Sequence, residues 1–170
     1  MAEENNLKSL YTDGMTEFVS GNFGASVERF SDVLAQDPDH TMALTARGAA
    51  NLKLNDVDKA MSDFNRVIET NPEYARAFHL RGLAKEKAGD HKGAVEDFGK
   101  AIDLDPEYGA AYFSRATPRT KMGLEDLAAE DMAMVIHLTN RNIETFANEN
   151  NIWRSQQLRV ESMMESDLNR

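Results

Sequence analysis

Four histidines, 29 acidic side chains and a spaced series of arginines and lysines are the residues here that could do chemistry. His40, His79, His91 and His137 share no His-x-x-x-His spacing, and the chain has no cysteine, so no zinc ligand set is present in the sequence. There is no phosphate-cradling glycine loop and no Gly-x-Ser-x-Gly elbow, and nothing in the sequence brings two carboxylates together as a general acid and base. The chain is read as non-enzymatic, without metal or cofactor.

The charges that do show order are paired. Arg47, Arg81 and Arg115 are 34 residues apart, and Asp63, Asp97 and Asp131 follow each of them by 16. The signs are exchanged at Asp13 and Arg29, which supports direct pairing. Each member stands eight residues from a glycine or asparagine break, so an antiparallel helix pair would set a guanidinium fork opposite a carboxylate. The alternative is a row of arginines for an anionic ligand. Lys53, Lys87 and Lys121 share the same period, and they either rim an acid-binding cleft or settle on the negative ends of helices.

These spacings require a repeated element. Pro38, Pro72 and Pro106 each follow Asp or Asn at 34-residue intervals; the same step joins Gly14, Gly48, Gly82 and Ala116, then Phe30, Phe64, Phe98 and Met132, then Val33, Val67, Ala101 and Val135. Each unit reads as two apolar-periodic helices broken at Gly21, Asn55, Gly89 or Gly123, where a left-handed backbone ends the first helix. Small residues recur where the helices cross, Gly48 with Ala60 and Gly82 with Ala94, beside Phe64 and Phe98. The units are 7–40, 41–74, 75–108 and 109–142, with a flexible 1–6 before them and a helical cap or tail, 143–170, after.

The pattern resembles the tetratricopeptide repeat family, best over Thr41 to Tyr74 and Ala75 to Tyr108. The outer units depart from it, with Ser26 for alanine, Ala116 for glycine, Asn140 for proline and Pro118 inside a helix. The resemblance implies an all-α, right-handed superhelical solenoid of helix-turn-helix repeats with a C-terminal capping helix, acting as a protein-binding scaffold or adaptor. It also implies a concave groove lined by first helices, taking a peptide or partner helix. The inward positions are then Tyr11, Met15 and Phe18; Thr45, Ala49, Leu52 and Lys53; Arg76, His79, Leu80, Leu83 and Lys87; Phe113, Thr117 and Lys121. Acidic residues or a free carboxylate on the partner would suit the basic margin of Lys53, Arg76, His79 and Lys87. The carboxylate clamp that some family members use on chaperone tails is not matched: its places hold Tyr11, Met15, Ala46, Arg76 and Leu80, of which Arg76 alone is basic.

Pro118 should kink its helix by removing the hydrogen bond to the Ser114 carbonyl. Beyond Asn142, Ile143, Phe146, Ile152 and Trp153 suggest a helix that caps the last unit, whereas Trp153, Val160 and Met164 would form a stripe for homo-oligomers. A net charge of −10 argues against nucleic acid, and no apolar run approaches a membrane span. With neither cysteine nor a secretory leader in the sequence, a cytoplasmic setting is expected.

Overall fold

The computed structural model describes the backbone of residues 2–149 and the side chains of 6–146. Eight helices follow one another: α1 (Ala2–Val19), α2 (Phe23–Gln36), α3 (Thr41–Lys53), α4 (Val57–Thr70), α5 (Ala75–Lys87), α6 (His91–Leu104), α7 (Gly109–Lys121) and α8 (Glu125–Glu149). They form four antiparallel hairpins. Gly21, Asn55, Gly89 and Gly123, the four expected breaks, all take positive φ, between 69° and 85°. After each, the next amide reaches back five residues, as from Asp56 to the Asn51 carbonyl and from Asp90 to that of Lys85, closing the helix end.

Between units, Asp37, Asn71 and Asp105 begin tight turns with proline second, closed by the amides of His40, Tyr74 and Tyr108. In the fourth unit Asn140 replaces proline, and α8 runs on without a break to Glu149. The second helix of that unit therefore continues past 142, and no separate helix begins at 143. Phe146, expected as a cap anchor, is 61% exposed; Ile152, Trp153, Val160 and Met164 lie outside the described residues. At the other end α1 starts at Ala2, so 2–6, expected to be flexible, are helical. Nothing before Gly14 breaks a helix there. Pro118 lies fully buried inside α7, and the helix continues through it to Lys121.

Each helix packs on the next. First helices also touch one another, α1 with α3, α3 with α5 and α5 with α7, whereas no second helix contacts another among the described residues. Close first helices and splayed second ones curve the stack, with the first helices on the inside. The core confirms the crossing predicted from small residues. Phe30, Phe64 and Phe98 are fully buried, and a Cβ placed on Gly14, Gly48 or Gly82 would lie 2.7, 2.5 or 2.6 Å from the matching ring. Ser26, where the later units have Ala60, Ala94 and Ala128, is buried with its hydroxyl unpartnered. No helix among the described residues is long and apolar enough to cross a membrane.

Candidate functional site: the inner groove and its charges

The arginine–aspartate series is built as direct pairs. Arg47 donates Nε and Nη2 to Asp63 at 3.0 and 2.7 Å, and Arg81 does the same to Asp97 at 2.8 and 2.7 Å. Arg115 grips Asp131 at 2.7 Å. The aspartates are almost fully buried, so these forks clip the second, third and fourth hairpins and leave no row of arginines for a ligand. Two of them also reach the preceding unit, Arg47 to Ser31 Oγ and Arg81 to Asn65 Oδ1. The exchanged pair of the first unit does not form. Arg29 lies 3.8 Å from Asp32 on its own helix, both about half exposed, and Asp13 is exposed.

The periodic lysines do not form a free basic rim either. Lys87 Nζ donates to the Leu52 carbonyl at 2.7 Å, at the C-terminal end of α3, and Lys121 pairs with Glu86 at 3.0 Å. They bridge neighbouring first helices, Lys87 at the carbonyl end of α3, where the helix dipole favours a cation, and Lys121 at a carboxylate; Lys53 alone of the three is exposed with neither an ion pair nor a side-chain hydrogen bond among the described residues.

His79 is not a groove cation. It is 8% exposed, its Nδ1 hydrogen bonds with the Tyr108 hydroxyl at 3.0 Å, and its Nε2 with Ser114 Oγ at 2.9 Å. Burial first, then the nearby Arg76 charge, lowers its pKa from the ordinary 6.5 to about 4, so the ring is neutral at pH 7. The folded ring takes its proton near pH 4 and the unfolded one near 6.5. The stability owed to it is therefore complete above about pH 6.5 and is lost as pH falls towards 4. Titration of the His79 ring by NMR is expected to show a neutral imidazole at pH 6 and a midpoint near 4; a midpoint at 6.5 would contradict the buried network.

The groove itself is apolar with one arginine. Tyr11, Met15 and Phe18 of α1, Met42, Thr45, Ala46 and Ala49 of α3, and Tyr74 and Arg76 at the start of α5 line one pocket. A second, adjoining pocket is formed by Tyr74, Arg76, His79, Leu80, Asp105 and Tyr108. Arg76 belongs to both, is exposed, and has no carboxylate partner. Its charge opposes the effect of burial, which raises the pKa values of Tyr11 and Tyr108.

Of the residues predicted from sequence, Tyr11, Met15, Thr45, Ala49 and Arg76 meet in the first pocket and His79 and Leu80 in the second. Leu52 and Leu80 also pack on the Ala60, Phe64 and Ala84 core. Leu83 is half-buried in neither pocket, and Phe113 and Thr117 line a separate hollow of the last unit with Ala128 and Met132. Met42, Ala46 and Tyr74 were missed as groove residues. Tyr74 had a signal: His40, Tyr74 and Tyr108 recur at the 34-residue step just before each later first helix. His40 stacks on Tyr11 at 5.7 Å, and Tyr108 meets His79 edge-on at 5.0 Å.

Stacked helix hairpins around an inner groove define a helical-repeat solenoid of the protein-binding kind. Residues 11–78 and 75–108 match tetratricopeptide repeats, and the chain belongs to that family. Among solved structures it is similar to MamA from Desulfovibrio magneticus RS-1, 29% identical with a TM-score of 0.73 over 82% of this chain and 78% of that one. A further MamA structure gives 25% identity and a TM-score of 0.75 over 84% of each chain. The first TPR of Spaghetti (RPAP3), bound to the HSP90 peptide SRMEEVD, shares the fold at 21% identity and a TM-score of 0.66, over 69% of this chain and 93% of that one. Comparison with curated protein sequences finds no match.

Proposed function

We propose that this protein-interaction module, without catalysis of its own, holds an extended peptide or a partner helix in the groove of α1, α3 and α5. The partner's apolar side chains rest on Tyr11, Met15, Phe18, Met42 and Ala49, and Arg76 receives an acidic side chain or a terminal carboxylate. The observation that carries this reading is Arg76: an exposed guanidinium with no carboxylate partner, shared by two pockets on the inside of an acidic solenoid. A neighbour of the same fold is bound to the acidic peptide SRMEEVD. The clamp for chaperone tails has no counterpart here, because Tyr11, Met15, Ala46 and Leu80 supply no amide or ammonium donors.

Selection from a random peptide library displayed on phage tests the reading. The expected ligands combine apolar residues with at least one acidic group, and Arg76→Glu weakens them about tenfold or more. Reversing Lys87 and Lys121 together leaves affinity near that of the original chain, since both are engaged between helices. Ligands without acidic character, or an unchanged affinity in Arg76→Glu, would remove Arg76 from the account.

Self-assembly through the unit ends is the second reading. It draws on the exposed Leu127, Ile136 and Ile143 of α8 and on Phe113, 57% exposed. Light scattering over a concentration series separates the two: a constant monomer mass supports the groove, whereas a mass rising with concentration supports the ends.

A further inference from the structure

The second, third and fourth hairpins repeat one buried aspartate with different company. In the third, Asp97 accepts from Arg81 and also from Lys85, whose Nζ lies 2.9 Å from Oδ2. In the fourth, Asp131 accepts from Arg115 and from Arg119, 2.8 Å from Oδ2. Lys85 and Arg119 hold the same repeat position, and at that position the second hairpin has Asn51. Asp63 thus receives Arg47 alone. Asn51 is 3% exposed, and its Oδ1 has no hydrogen-bond partner.

Where the second cation stands in the later units, the second has an open pocket of about 370 Å³ between α2, α3 and α4. Val27 gives it an apolar wall, Ser31, Asn51, Ser62 and Asp63 give it oxygen acceptors, and the Arg47 guanidinium shares its lining, bound to Asp63 and Ser31 as Arg81 is bound to Asp97 and Asn65. Lys59 lines its mouth but turns away, pairing with Asp56 at 2.8 Å with its own side chain 70% exposed. The pocket is on the α2–α4 side of α3, apart from the inner groove of Met42, Thr45 and Ala49, and nothing in the groove reading depends on it.

We infer that this pocket is a receptor for a primary alkylammonium group, the side chain of a lysine on a protein partner, which takes the place that Lys85 fills in the third hairpin. The ammonium would donate to Asp63 Oδ2 and to the unpartnered Asn51 Oδ1, with its methylenes along Val27. A guanidinium is the poorer fit, because Arg47 already occupies both carboxylate oxygens with its fork and leaves single lone pairs rather than a bidentate edge. A free polyamine is disfavoured by Lys59 at the mouth, which opposes every charge beyond the first.

The test is a titration of the ¹⁵N-labelled chain with n-butylammonium chloride, followed at the Asn51 side-chain amide and the Ser31 amide. The expected result is a saturable shift in the millimolar range. It is absent with tetramethylammonium chloride at equal ionic strength, which has no N–H to donate. It is also absent in Asn51→Lys, which fills the pocket from within and is expected to unfold at a temperature equal to or above the original. No saturable shift in the original chain, or an equal one with tetramethylammonium, overturns the site. Tighter binding of spermidine than of n-butylammonium overturns the assignment to a lysine.

Discussion

Replacing Asp97 with alanine is expected to destabilise the chain by about 3–5 kcal/mol, because it leaves two partly buried cations without their counter-charge. Arg81 and Lys85 are only 20% and 19% exposed, and both converge on a carboxylate that is itself nearly inaccessible. The pair also holds three helices together: Arg81 lies on α5, Asp97 on α6, and Arg81 reaches Asn65 on α4. Asp97 therefore acts on the junction between units as well as within one. In a stack where each unit is stabilised by its neighbours, damage to an inner unit uncouples those on either side. Urea unfolding of Asp97→Ala should show a lower midpoint and a broader transition. Arg29→Ala is the contrast, expected within about 0.5 kcal/mol of the original, since Arg29 and Asp32 are about half exposed. An Asp97 variant as mild as the Arg29 one would mean that the buried forks add nothing over their own desolvation.

The period made the fold legible because it is written in residues with one physical use each. Proline after Asp37, Asn71 and Asp105 can only turn, and the breaks at Gly21, Asn55, Gly89 and Gly123 mark left-handed backbone. Pairing of Arg47, Arg81 and Arg115 was legible for a similar reason, since position eight on either side of a break fixes the partner across the hairpin. The groove was less so. His79 looks like a cation in sequence, but burial keeps it neutral, with Tyr108 at the end of its own unit and Ser114 in the next bonding its two ring nitrogens. Lys87 and Lys121 look like a rim, yet their reach spans the spacing between first helices, a distance that sequence does not state. At the end of the fourth hairpin Asn140 stands where the earlier units have proline. Without a residue that cannot be helical, α8 simply continues.

The remaining large effect tests the packing that sets the curvature of the groove. Phe98→Ala is expected to cost about 3–5 kcal/mol, the usual loss for a fully buried phenylalanine that leaves a cavity. Gly82→Ala is expected to change sign with it. In the original chain the added Cβ would stand 2.6 Å from the Phe98 ring. The ring is rigid and enclosed, so α5 and α6 must separate, at about 1–3 kcal/mol, and this outweighs the roughly 1 kcal/mol by which alanine favours a helix over glycine. With Phe98 already alanine, the obstacle is gone. The same Gly82→Ala should then stabilise by about 1 kcal/mol. The fourth unit has made this exchange itself, with Ala116 and Met132 in place of glycine and phenylalanine, the flexible methionine yielding where a ring could not. A double-mutant cycle by urea unfolding should give a coupling above 1 kcal/mol. Additive effects would show that the glycine is there for some reason other than the ring, and the close approach of first and second helices would need another cause.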